Sequence, residues 1–130
     1  MPHTSALGTH HLLDLFGVDA ALLDDESALE ATLSRCARDG GATILATHFR
    51  RFEPQGVTGV VILAESHVTI HTWPERGAAT LDVFTCGDPS IGERIVEGLV
   101  AALPSEEHRV TSIARGMEPP SHERKPGEAS

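Results

Sequence analysis

The sequence predicts an α+β layered sandwich, a largely antiparallel sheet with helices on one face. Residues 57–63, 68–73 and 79–86 are β-branched, apolar or alternating, which is the period-two signature of strands. Two stretches opening at Ser27 and Ser90 combine Ser-x-x-Glu with apolar residues at helical spacing. The resulting order is strand, helix, three or more strands, helix, strand. That order suits one helical layer over one sheet, in a single domain.

Leu7 to Phe16 is the first strand, with Leu12, Leu13, Leu15 and Phe16 as its apolar content. His10 and His11 within it point to opposite faces, so they cannot form one site and read as ordinary surface or satisfied histidines. Ser27-Ala28-Leu29-Glu30 is a capping box, after which Leu29, Leu33, Cys36 and Ala37 share one helical face. On that face Cys36 reads as a small buried hydrophobe. Gly40-Gly41 stops the helix.

Ala42 to Phe52 forms the second strand and Pro54-Gln55-Gly56 breaks it. Val57 to Leu63 is the third. Val68 to Trp73 then alternates, with Val68 and Ile70 on one face and His67, Thr69, His71 and Trp73 on the other. Pro74, Arg76 and Gly77 make a turn. Ala79 to Cys86 sets Leu81 and Val83 against Asp82, Phe84 and Cys86. A second capping box, Ser90 to Glu93, leads a helix striped by Ile91, Ile95, Leu99 and Leu103. Arg109 to Ile113 is a last strand. The domain is expected to span residues 1–116, with 117–130 a flexible tail of Pro, Gly and charges. The face carrying His67, His71 and Trp73 mixes polar and apolar groups, which suits a site or a partner subunit better than open water.

A chain of 130 residues can bury a core without metal or disulfide staples. Its net charge of −9 argues against nucleic acid, which requires a basic face. No apolar run approaches a membrane span, the N-terminus lacks a signal peptide's basic start, and two cysteines imply no disulfide framework. The expected setting is cytoplasmic. His67 and His71 would share a zinc ion on a helix, but on a strand they lie about 13 Å apart, so no metal is expected. Phosphate loops, Cys-x-x-Cys and nucleophile elbows are absent. The only lysine, Lys125, lies in the tail, so pyridoxal phosphate chemistry is not expected. Carbanion chemistry would need a different electron sink.

Glu65-Ser66-His67-x-x-Ile70-His71-x-Trp73-Pro74-Glu75, followed by Asp82-x-Phe84-Thr85-Cys86-Gly87, resembles the processing and active-site segment of prokaryotic S-adenosylmethionine decarboxylases. These are small pyruvoyl enzymes that cut themselves at a Glu-Ser bond. The likeness extends more weakly from Leu7 to about Gly116. It implies cleavage between Glu65 and Ser66 into 1–65 and 66–130, with Ser66 becoming the pyruvoyl group that forms a Schiff base with substrate. It further implies His71 in processing with support from Thr58, and Cys86 as proton donor after carbon dioxide leaves. Phe52 and Trp73 would stack on adenine and Glu75 would suit the ribose. The implied partners are S-adenosylmethionine and a second chain, in a homodimer or higher assembly.

Self-cleavage has three physical requirements. The Ser66 hydroxyl must lie against a strained or well-fixed Glu65 carbonyl, the oxyanion needs a donor, and a base must take the Ser66 α-proton. Histidine titrates near neutrality, which suits His71, but reaching back five residues requires a bend. One departure bears on substrate. The family commonly has Gly-Tyr-Ala where this chain has Gly77-Ala78-Ala79, and the chain has no tyrosine. Two other readings stay open: a pyruvoyl-dependent ornithine or arginine decarboxylase, with Asp82 meeting the distal cation, and an uncleaved regulatory paralogue.

Overall fold

The computed structural model describes residues 6–119. Lys125 and most of the expected tail lie outside them. Six strands, β1 (Gly8–Phe16), β2 (Ile44–Arg51), β3 (Val57–Leu63), β4 (Ser66–Trp73), β5 (Ala78–Thr85) and β6 (Glu107–Arg115), form one antiparallel sheet. Their order is β2-β3-β4-β5-β1-β6. Three helices, α1 (Ala20–Leu23), α2 (Glu26–Asp39) and α3 (Pro89–Ala102), pack on the same side. The α+β sandwich expected from the strand and helix periods is the fold observed.

The period-two pattern explains which face is covered. Leu13 and Leu15 of β1, Val61 and Leu63 of β3, Val68 and Ile70 of β4, and Leu81 and Val83 of β5 are all buried. Against them lie Leu29, Leu33, Cys36 and Ala37 of α2, and Ile95 and Leu99 of α3. Cys36 is therefore the buried hydrophobe the helical stripe implied. Gly59 shares this face by the same alternation, and the Phe49 ring fills the space a Cβ there would need. The opposite face of the sheet carries no element of this chain among the described residues.

Both helix starts differ from expectation. The N-cap of α2 is Asp25, whose carboxylate accepts from the Ala28 amide, and Glu30 instead accepts from the Thr47 hydroxyl of β2. The N-cap of α3 is Asp88, which accepts from the amide and hydroxyl of Ser90, with Pro89 at the first helical position. In each case an aspartate two residues upstream takes the capping role, and Pro is favoured just inside a helix start. The short α1, four residues long, carries no periodic signal in the sequence. Its end is tied to the sheet by Thr72, whose hydroxyl donates to the Leu23 carbonyl and accepts from the Val57 amide. β2 is shorter than expected. β6 is longer and pairs with the whole of β1.

Candidate active site

Ser66 opens β4 directly after a two-residue turn, Ala64-Glu65, that joins it to β3. Its backbone φ is 148°, a positive value that no other described non-glycine residue adopts. Side chains other than glycine are strained there. The carbonyl oxygen of Glu65, on the bond that precedes this strained residue, accepts two hydrogen bonds from Cys86. The Cys86 amide donates at 3.0 Å and its thiol at 3.1 Å. Cys86 does not lie within β5 as expected; it follows the strand end, exposed, where the chain turns toward α3. The Glu65 carboxylate is itself anchored by the Thr43 amide at 3.0 Å. A fixed carbonyl with two donors on its oxygen is the arrangement that stabilises a developing oxyanion.

The Ser66 hydroxyl lies 3.2 Å from Nδ1 of His67. Adjacent residues of a regular strand point to opposite faces, so this contact accompanies the irregular backbone at Ser66. The His67 ring packs on Phe84, with ring centroids 5.7 Å apart. Phe84 in turn meets the His10 ring edge-on. Partial burial lowers the His67 pKa below the ordinary histidine value; neighbouring His10 pushes the same way and Asp82 opposes. A cavity of about 350 Å³ adjoins this cluster, lined by Leu7, His10, His67, Phe84, Arg115 and Gly116.

The remaining expected residues lie elsewhere. The Thr58 hydroxyl meets Nδ1 of His71 at 3.1 Å, across the β3–β4 ladder. Both line a second cavity of about 400 Å³ with His48, Arg50, Phe52 and Thr69. β4 runs from Ser66 to Trp73 with unbroken register to both neighbours, so no bend brings His71 back. At about 3.3 Å per residue, His71 stands roughly 16 Å from Ser66 along the strand. Trp73 pairs with Ala78 and is 41% exposed. Glu75 is exposed in the 3-10 turn Pro74–Arg76. One chain thus gathers Glu65, Ser66 and Cys86 at one end, and Phe52, Thr58 and His71 at the other.

Asp82 is occupied: His10 Nε2 donates to one carboxylate oxygen at 3.1 Å and the Thr69 hydroxyl to the other at 3.0 Å. Arg115 donates to His10 Nδ1, which leaves the His10 proton on Nε2. His11 faces the helices, with Nδ1 against the Ser112 hydroxyl at 2.7 Å and Nε2 buried without a partner among the described residues. Among the described residues no group of three His, Cys, Asp or Glu side chains is placed to hold a metal ion. No described helix is long and apolar enough to cross a membrane.

Residues 9–116 match the family model of S-adenosylmethionine decarboxylase. The chain belongs to that family. It is 48% identical over 109 residues to the S-adenosylmethionine decarboxylase proenzyme of Prochlorococcus marinus (strain MIT 9313), covering 84% of this chain and 87% of that one. It is 43% identical over 111 residues to the proenzyme of the same name from Methanococcus vannielii, covering 85% and 91%. The crystal structure of the adenosylmethionine decarboxylase from Aquifex aeolicus superposes with a TM-score of 0.83 at 40% identity, over 88% of this chain and 95% of that one. Family membership therefore rests on both sequence and fold along nearly the whole described chain.

Proposed function

We propose that this protein is an S-adenosylmethionine decarboxylase that makes its own pyruvoyl group from Ser66 and works as a homodimer. The observation that carries the reading is the Glu65 carbonyl, held by both donors of Cys86 at the entry to the strained Ser66. That is the bond whose cleavage would yield fragments 1–65 and 66–130. The relatives' description as proenzymes points the same way.

The residues present fit such a group. Attack by the Ser66 hydroxyl on the Glu65 carbonyl places the oxyanion on the Cys86 amide and thiol. Removal of the Ser66 α-proton then expels the Glu65 carboxylate. Once formed, the pyruvoyl group supplies the electron sink that decarboxylation needs. Cys86 holds a proton at Sγ beside the reacting position, where it can be returned to the substrate carbon. Phe52 and Trp73 offer flat surfaces for a nucleoside, and Glu75 a carboxylate for ribose hydroxyls.

The distance between Ser66 and His71 favours a site shared between chains. The helix-free face exposes Phe16, Phe52, Ile62, Trp73 and Ile113, each at least 40% accessible. Apolar groups spread over one open sheet face favour a second copy as cover. In a face-to-face pair of opposed sheets, Thr58 and His71 of one chain meet Ser66 and Cys86 of the other, and His71 becomes the base for the α-proton.

Asp82 bears on the amino-acid alternative. With both carboxylate oxygens already engaged by His10 and Thr69, it offers little to the distal cation of ornithine or arginine. The test is release of carbon dioxide from carboxyl-labelled S-adenosylmethionine, ornithine and arginine in parallel, with denaturing mass spectrometry of the same sample. The reading requires two fragments and turnover of the sulfonium substrate. Turnover confined to an amino acid rejects the substrate, and an intact active chain rejects the mechanism.

A further inference from the structure

Self-cleavage needs two separate proton movements, and the arrangement around Ser66 provides for only one of them through the residues already discussed. The α-proton of Ser66 leaves late, once an ester exists. Before that, the hydroxyl must lose its proton to become a nucleophile, and the departing nitrogen must gain one. His71 stands roughly 16 Å away along its own strand. His67 is in contact.

We infer that His67 is the catalytic base of the first step of self-cleavage, the transfer of the Glu65 acyl group from the Ser66 nitrogen to the Ser66 oxygen. The inference rests on the proposed cleavage at Glu65-Ser66 and adds to it a residue with no previous role. Its ground is the 3.2 Å contact between the Ser66 hydroxyl and His67 Nδ1. With the ring proton on Nε2, Nδ1 presents a lone pair to that hydroxyl. The Phe84 ring against His67 fixes the imidazole in place. Opposite, the carbonyl to be attacked is held by Cys86.

The step balances within the chain. His67 Nδ1 takes the hydroxyl proton while Ser66 Oγ forms a bond to the Glu65 carbonyl carbon. The oxyanion of the five-membered intermediate rests on the Cys86 amide and thiol. The carbon–nitrogen bond then breaks, and the proton held on Nδ1 passes to the leaving nitrogen, giving an ester and a free amine. His67 ends as it began, so no other reactant is consumed. Partial burial keeps the imidazole neutral to lower pH than usual, which preserves the lone pair at neutrality. The titratable and charged groups facing it are His10 of β1, Asp82 of β5 and Arg115 of β6.

Hydroxylamine separates the two proton movements, because it cleaves the ester but not the amide. In a His71→Ala chain the α-proton step is blocked, so the rate of hydroxylamine cleavage at Glu65-Ser66 reports ester formation alone. The released fragment begins with a sequenceable Ser66 in place of a blocked end. Adding His67→Gln should slow that cleavage by roughly 10²–10⁴-fold, the range of a general base. It should also abolish the fall in rate on acidification, which in the His67-containing chain sets in below the ordinary histidine range because burial lowers its pKa. Free imidazole added to a His67→Gly, His71→Ala chain should restore part of the rate, which a purely structural role would not permit. Equal rates and equal pH profiles with and without His67 overturn the inference while leaving self-cleavage standing. Failure of the wild-type chain to cleave at all overturns the proposed function, and this inference with it.

Discussion

The Glu65 carbonyl oxygen accepts from both the amide and the thiol of Cys86, at 3.0 and 3.1 Å. One residue thereby faces the bond that would be cut during maturation and, in the proposed mechanism, the position at which substrate would react afterwards. The two duties separate by substitution. Cys86→Ser retains a side-chain donor, so the chain should still cleave, while its much weaker acid should lower decarboxylation by about 10²–10⁴-fold. Cys86→Ala retains only the amide and should cleave more slowly as well, by up to about 10²-fold. Fragment yield over time and turnover per cleaved chain are the two measurements. Wild-type turnover by cleaved Cys86→Ala would remove the thiol from the mechanism.

Strain at Ser66 makes a second prediction about stability. A positive φ of 148° costs a residue with a Cβ about 1–3 kcal/mol and costs glycine nothing. Neither Ser66→Ala nor Ser66→Gly should cleave, since both lack the hydroxyl. Of these two intact chains, Ser66→Gly should be the more stable by about 0.5–2 kcal/mol, after allowing for glycine's own entropic cost. Denaturant melts of the pair decide it, and a more stable alanine variant contradicts the strain.

Sharing of the site between chains is tested by mixing. Neither Ser66→Ala nor His71→Ala should mature alone. In a mixed dimer, one site joins the intact Ser66 of the second variant to the intact His71 of the first. Co-expression should therefore cleave the His71→Ala chain and leave the Ser66→Ala chain whole. Absence of cleavage in a verified mixed dimer rejects the shared arrangement.

Acid should weaken the fold below neutrality. Burial lowers the pKa of His11 first of all, with Glu93 opposing, and burial likewise lowers that of His67. In both cases the unfolded chain binds protons at a pH where the folded chain does not. Stability therefore rises with pH across this window. It is lost as pH falls below the unfolded value of 6.5, and the loss is complete below the depressed folded values. The midpoint of thermal unfolding should drop between pH 7 and pH 5. His11→Asn, which can still bond Ser112, should show a smaller drop, whatever its stability at pH 7.

Much of this was legible in the chain. Alternation in Val57–Leu63 and Val68–Trp73 located two strands and told their faces apart, because burial on one side of a sheet imposes period two. The Ser-x-x-Glu boxes place the helix starts two residues late, since that motif recurs inside helices whose true caps, Asp25 and Asp88, stand just before. The four residues of α1 are too few to show a period. β6 is exposed along its length, so its outer residues carried no apolar signal. The motif named Ser66, His71 and Cys86 together, while strand spacing alone already set Ser66 and His71 apart. The contact between Ser66 and His67 was hidden, because regular strand geometry forbids it. Only the irregular φ at Ser66 reveals it.

Cleavage after Glu65 would fall at the β3–β4 turn, yet the sheet order does not divide there. β1, from the first fragment, lies between β5 and β6 of the second, and β3 borders β4. The mature protein is then two peptides woven through each other along three ladders, with no seam along which to part. Folding must precede the cut, since only the folded chain presents the carbonyl to Cys86. After the cut, unfolding releases two separate peptides, and renaturation becomes a second-order encounter that dilution defeats. Maturation would thus convert a reversible folder into one whose native state persists by kinetics, a protein able to assemble itself only once.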